Sequence, residues 1–210
     1  MNFLREKGIK MHKVAVDLMI AIGKVPKHKY LELEREKVMV KTISTSQKVV
    51  YTGLFLALGL VLPQMFHFLP IANAGKIMLP MHIPAILAGY LLGKQPGMIV
   101  GFLSPVLSCL MLQMPAPLFM PIMAVELLVY GLVAGTLGTK IKNNYLSLIA
   151  VMIAGRIASG AMYIIMANVF GLHQFNLEMF TVGLATGVPG IILQLVIIPP
   201  MIKLLRKANR

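Results

Sequence analysis

Long apolar segments alternate with short polar loops from about residue 48 to the end of the chain. A helix of about 20 residues crosses the roughly 30 Å hydrocarbon core of a bilayer. Six segments meet or approach this length, and they are residues 49–68, 77–93, 97–112, 119–138, 145–170 and 180–204. The pattern predicts an all-α integral membrane protein whose membrane domain, residues 48–210, has six transmembrane helices.

Lysine and arginine fall almost entirely on one side of this predicted topology. Residues 1–48 hold eleven of the twenty, and Lys94, Lys140, Lys142 and four residues of the C-terminal tail lie on the same side. Lys76 is the single basic residue in the loops of the other side. Because cytoplasmic loops are enriched in Lys and Arg, both termini are predicted to be cytoplasmic. We expect a multi-pass protein of the bacterial plasma membrane.

Residues 1–47 are predicted to form a separate basic segment, in the cytoplasm or at the membrane surface. Met11, Val14, Leu18 and Ile22 recur at helical spacing among charged residues, which suits a helix lying in the interface. A poorly ordered tail, or an extension from an upstream start codon, is the alternative interpretation. The segment lacks the pattern of a removable signal peptide.

Composition and motifs narrow the classes of function. Hydrophobic residues make up 58% of the chain and charged residues 13%, so the formal charge of +13 indicates cytoplasmic loops and anionic lipid rather than nucleic acid. A phosphate-binding loop is absent, because residues 89–95 have the wrong spacing and no hydroxyl after the lysine. Recognisable nucleophiles and metal clusters are also absent, and Cys109 is the single cysteine. We predict a protein that is not an enzyme and needs no cofactor.

Two charged residues lie deep inside predicted spans. Glu126 is about 10 Å from the outer end of the fourth span and Arg156 roughly 15 Å from the inner end of the fifth, at 1.5 Å per residue. Adjacent antiparallel helices would bring the two within side-chain reach. A charge at such depth costs at least about 2.5–3.5 kcal/mol, so each must face a partner or a wet cavity. A structural ion pair and a ligand-binding role are both consistent with this placement.

Polar and aromatic residues share the helical faces of these two charges. Ser159 and Tyr163 follow Arg156 toward the outer surface, and Phe119 lies two turns outward of Glu126. The spacing predicts a substrate pocket that opens outward.

The outer connection between the first two spans extends this prediction. Residues 67–80 include Asn73 and are long enough to fold over a pocket as a lid. His82 follows at the outer start of the second span. We include Asn73 and His82 among the candidate substrate-binding residues, although a lone histidine is also typical of a hydrogen-bonded interfacial position.

Small residues form one stripe on each of two spans. Gly97, Gly101, Ser104 and Ser108 share a face of the third span, and Gly183, Gly187, Gly190 and Gln194 share a face of the sixth. Such stripes usually indicate close helix packing in lipid. Room for a ligand is the alternative.

The chain resembles a known family in three of its spans. The runs at 79–89, 97–101 with Ser104–Pro105, and 123–127 with Tyr130–Gly131 are similar to the substrate-binding S components of energy-coupling factor (ECF) transporters. The similarity is strongest to members for pantothenate, hydroxymethylpyrimidine or pyridoxine-type vitamins, and it covers about residues 48–207.

This resemblance implies a six-helix subunit that captures a vitamin outside with high affinity and associates with a transmembrane coupling subunit and two ATPase subunits. The family docks on the coupling subunit through an Ala-x-x-x-Ala motif on the first helix. The matching positions here are Gly53 and Ala57, with glycine in place of the first alanine.

Two other classes of function and the substrate stay open at this level. A stand-alone ion-coupled secondary transporter would need an ion site, and Glu126 alone is weak evidence for one. A membrane enzyme would need a nucleophile or a metal cluster. Arg156 suits a carboxylate such as that of pantothenate, whereas Glu126 suits an aminopyrimidine or pyridinium. If the two residues pair with each other, neither inference about the substrate holds.

Overall fold

The computed structural model describes residues 44–67, 74–138, 140–141 and 143–208, and the regular structure in these ranges is entirely α-helical. Its helices are α1 (Thr45–His67), α2 (Ala74–Met78), α3 (His82–Leu92), α4 (Lys94–Leu112), α5 (Met120–Leu137), α6 (Asn144–Asn168), α7 (Leu177–Thr186) and α8 (Val188–Ala208). Most of the predicted N-terminal segment, residues 1–43, lies outside the described residues, and its boundary at residue 47 stays a prediction.

Five of these helices, α1, α4, α5, α6 and α8, are long and apolar enough to cross a membrane by length and composition. Helices α3 and α7 are apolar but shorter. The first, third, fourth and fifth predicted spans each correspond to one helix within a few residues. An all-α membrane protein is therefore confirmed, while six spans and the orientation of the termini stay predictions.

The structure differs from the sequence prediction in the second and sixth segments, each of which is two helices rather than one. Leu79 has a positive φ of 49° and, with Pro80, separates α2 from α3. At the other break, Gly187 separates α7 from α8, and Pro189 follows it. Proline has no N–H to donate to the carbonyl four residues earlier, so both prolines favour a break at these points.

Helix α5 lies at the centre of the bundle and packs against α3, α4 and α6. Its contact with α4 is backbone to backbone: Gly131 meets Gly97, and Leu127 meets Gly101. Without side chains at the glycines, the two backbones approach closely, which is how many helices associate in lipid. The packing interpretation of the Gly97 and Gly101 stripe is confirmed.

An apolar core fixes α5 against its other neighbours. Tyr130 of α5 packs with Ile86 of α3, Val151 of α6 and Ile198 of α8, and all four are almost fully buried. Tyr90 of α3 adds a hydrogen bond from its hydroxyl to the Ser147 hydroxyl of α6 at 2.9 Å. These contacts set the register of α5 and α6, the two helices that carry Glu126 and Arg156.

Candidate functional site

Glu126 and Arg156 form a direct ion pair between α5 and α6. Arg156 Nη1 lies 2.9 Å from Glu126 Oε1, and Glu126 is only 5% exposed. Both residues were expected within reach of each other from their depths on antiparallel helices, and the structure confirms this. The pair places a positive and a negative charge together inside the helix bundle.

Two further residues contact the same carboxylate oxygen. Tyr130 donates a hydrogen bond from its hydroxyl to Glu126 Oε1 at 3.1 Å, and His82 Nε2 lies 3.6 Å from that atom. The rings of His82 and Tyr130 pack with their centroids 5.2 Å apart. We call Glu126, Arg156, Tyr130 and His82 the Glu126 cluster.

The sequence interpretation missed Tyr130 as a site residue, although its spacing carried a signal. Residues four apart on a helix lie on the same face, so a hydroxyl at position 130 can reach a carboxylate at position 126. His82, by contrast, was expected at the site, and the structure places it there, almost fully buried.

The cluster occupies one oxygen of Glu126, Oε1, and leaves donor groups unused. Arg156 Nε and Nη2, which are both donors, are buried without a hydrogen-bond partner. Both ring nitrogens of His82 are also buried without one, and at least one of them carries a proton to donate. A buried donor without a partner costs roughly 1–3 kcal/mol, and more when the group is charged. The arrangement is therefore suited to a ligand that brings hydrogen-bond acceptors.

Aromatic rings pack together beside the cluster. Phe175 lies with its ring centroid 5.4 Å from Phe119 and 5.5 Å from Tyr163, and Tyr163 in turn lies 5.4 Å from Phe180, all edge to face. Phe119 and Tyr163 were predicted, and Phe175 brings them together. Phe175 and Phe180 were missed, because nothing in the local pattern of the 169–176 loop or of α7 distinguishes them.

Three of these rings, those of Phe175, Tyr163 and Phe180, border a cavity of about 170 Å³. It is lined by Gly160, Tyr163, Ile164, Phe175, Asn176, Leu177 and Phe180. Gly160 and Tyr163 follow Arg156 by one and two turns along α6, so the cavity lies further along the same helical face than the guanidinium. Pockets for drug-sized ligands hold about 300–1,000 Å³, so this cavity suits a small molecule or part of one.

The remaining predicted residues lie in different surroundings. Ser159 is buried and donates its hydroxyl to the Arg156 backbone carbonyl at 3.1 Å. Asn73 lies outside the described residues. Gly53 and Ala57 are exposed on α1, away from the Glu126 cluster, and a methyl group at Gly53 would meet nothing within 4 Å.

The part of the chain that the structure describes contains no candidate metal-binding site. Groups of three or more His, Cys, Asp or Glu residues that could hold an ion do not occur there.

The described residues combine apolar helices that can cross a bilayer, a charged cluster with unused donors and a small cavity lined in part by aromatic rings. This combination is typical of membrane proteins that bind small molecules. The sequence model of the family described as "ECF transporter, substrate-specific component" matches residues 47–202, and the chain belongs to this family. Searches of curated proteins and of solved structures gave no significant match.

The protein is therefore a multi-pass membrane protein and the substrate-binding subunit of an ECF importer. Membership of the family implies a vitamin-type substrate, partner subunits in the membrane and ATPase partners. Subunits of this kind are generally not enzymes, which agrees with the absence of catalytic motifs from the sequence.

Proposed function

We propose that this protein captures a water-soluble vitamin from outside the cell and holds it between the Glu126 cluster and the aromatic rings. The candidates are pantothenate and vitamins like hydroxymethylpyrimidine or pyridoxine. The observation that carries the proposal is the Arg156 guanidinium, two nitrogens of which are buried without a partner. Arg156 lies on the helical face that leads to the cavity. Transport is powered by the partner ATPases, since the sequence has no phosphate-binding loop.

The basic loops support an outward-opening pocket. Phe175, which borders the cavity, and Phe119, which packs against it, lie at the ends of α6 and α5 opposite to the ends next to Lys140. If the loops rich in Lys and Arg are cytoplasmic, the cavity is close to the outer face of the membrane. Both termini are then inside the cell.

A stand-alone ion-coupled transporter is supported less well. Such a carrier needs a group that is free to bind the coupling ion, and acidic side chains inside membrane proteins usually supply it. Glu126 is the sole acidic residue within the predicted spans, and it is already engaged by Arg156 and Tyr130.

A binding screen tests the proposed function directly. We expect the purified full-length protein, reconstituted in lipid nanodiscs, to bind one B vitamin of the panel with a Kd of about 1 μM or tighter, which corresponds to about −8 kcal/mol. Isothermal titration calorimetry against pantothenate, pyridoxine, hydroxymethylpyrimidine, biotin, nicotinate, thiamine and riboflavin gives the measurement. Failure to bind any of them would overturn the proposal.

The exposed face of α1 is a candidate docking surface for the coupling subunit. Gly53 and Ala57 lie one turn apart on this face, flanked by the exposed apolar side chains of Val50, Leu54 and Val61. Two small residues one turn apart let another helix approach closely. The same face of α1 points away from α3 and α4, against which the opposite side of the helix packs.

Tryptophan at Gly53 or Ala57 should therefore abolish vitamin uptake by intact cells and leave binding by the purified protein unchanged. The bulky ring prevents close approach of the partner helix, while the Glu126 cluster is untouched. Radiolabelled vitamin uptake and calorimetry measure the two effects, and Val196→Trp, at an exposed position of α8, is the matched control. Normal uptake by the Gly53→Trp and Ala57→Trp variants would contradict this docking surface.

A further inference from the structure

The guanidinium of Arg156 contacts the protein through one nitrogen, and the hydrogen-bond donors along one of its edges have no partner. Its contact with Glu126 is made by Nη1, while Nε and Nη2 are buried without partners. In an arginine side chain, Nε–H and one N–H of Nη2 point in the same direction from the planar group. This edge matches the two oxygens of a carboxylate, which it binds through two parallel hydrogen bonds.

A glycine lies next to Nη2 of this edge, and a leucine lies beside the glycine. A methyl group on Gly187, at the break between α7 and α8, would lie 3.3 Å from Arg156 Nη2 and 3.3 Å from Leu79 Cδ1. Leu79 is held in place, since Gln194 Nε2 of α8 donates to its carbonyl at 3.5 Å. Because residue 187 is a glycine, no side-chain atom lies against Arg156 Nη2 at this position.

The balance of donors and acceptors favours an anionic ligand group. Glu126, the one acid of the cluster, already accepts a hydrogen bond from Tyr130 and the contact from Arg156. A cationic or amino-bearing ring that used Glu126 Oε1 would have to compete with both partners. An acceptor group meets donors that have no partner in the protein.

We propose that the vitamin is held through a carboxylate on the Nε and Nη2 edge of Arg156, and that Gly187 is a specificity-determining residue because it places no side chain against Nη2. The proposal rests on the proposed function and names the chemical class of its substrate. It selects the carboxylate-bearing vitamins over neutral or cationic ones such as pyridoxine and hydroxymethylpyrimidine.

Alanine at position 187 is a mild substitution apart from its effect on this edge. The backbone of Gly187, with φ of −81° and ψ of −8°, is allowed for any residue. The added methyl group would touch Nη2, the Leu79 side chain and the Gly183 carbonyl at 3.3–3.4 Å, so small shifts accommodate it. Gly183→Ala is the matched control, since its methyl group would meet only the Tyr163 hydroxyl, at 3.8 Å.

Calorimetry on the full-length protein in nanodiscs, with pairs of compounds that differ at the carboxylate, tests the proposal. The pairs are pantothenate with pantothenol, nicotinate with nicotinamide, and biotin with biotinamide. We expect wild-type protein to bind the acid of one pair at least about tenfold more tightly than its neutral partner, the scale of a hydrogen bond to a charged group. Gly187→Ala should weaken binding of that acid by about tenfold and change binding of the neutral compound less than about twofold. Gly183→Ala should change neither.

The outcomes separate this proposal from the proposed function. The carboxylate assignment would be overturned if the protein bound only pyridoxine or hydroxymethylpyrimidine tightly, or if it bound an acid and its neutral partner with equal affinity. The proposed function, vitamin binding, would stand in either case. Equal weakening of both members of a pair by Gly187→Ala would overturn the role of Gly187 at the guanidinium edge. Absence of binding to every vitamin would overturn both proposals.

Discussion

Arg156→Met should destabilise the protein by about 3–5 kcal/mol and remove vitamin binding. Without the guanidinium, Glu126 is a 5% exposed carboxylate whose neighbours are Tyr130 and His82. Removing one partner of a buried ion pair leaves an uncompensated charge, and this is the costly event. Thermal unfolding in nanodiscs measures the loss of stability. Glu178→Gln, a change at an exposed acid in the first turn of α7, is the control and should unfold as wild type does.

The double variant Arg156→Met with Glu126→Gln distinguishes a ligand contact from a structural pair. Replacing both charges removes the uncompensated carboxylate, so most of the lost stability should return. Vitamin affinity should stay at least about tenfold below wild type, because the donors for the ligand are gone. Recovery of affinity together with stability would show that the two residues only hold α5 and α6 together.

Gly131→Ala should produce the second large effect, a loss of at least about 2–3 kcal/mol of stability, as overpacking of a tight interface does. The added methyl group would overlap the Gly97 backbone carbonyl of α4. A backbone group cannot rotate away as a side chain can, so α4 and α5 would have to separate. Since α5 also carries Glu126, vitamin binding should weaken in parallel, as calorimetry would show.

Gly53→Ala is the control for this substitution. Both glycines lie inside long helices, but a methyl group at Gly53 would meet nothing within 4 Å. Its melting temperature should equal that of the wild type or rise slightly, because alanine favours the helix more than glycine does. If the Gly131→Ala variant had the same melting temperature as Gly53→Ala, α4 and α5 would be less closely packed than their backbone contacts indicate.

The sequence by itself determined the class of protein and two central residues of the candidate site. The length of an apolar segment needed to cross the bilayer is fixed by the thickness of the hydrocarbon core, so α1, α4, α5 and α6 were located within a few residues. A charge inside such a segment is costly enough to be informative on its own, which singled out Glu126 and Arg156 before their contact was known. Family membership is likewise a property of the sequence.

Only the tertiary structure decided how the atoms of this pair and of its neighbours are arranged. It showed that Arg156 contacts Glu126 with one nitrogen and leaves an edge unused, that Gly187 lies against this edge, and that Phe175 joins two predicted aromatic residues. These are contacts between helices and loops distant in the chain. Helical periodicity gives the face on which a side chain lies, but which atoms meet across two helices depends on how closely and at what rotation their backbones pack.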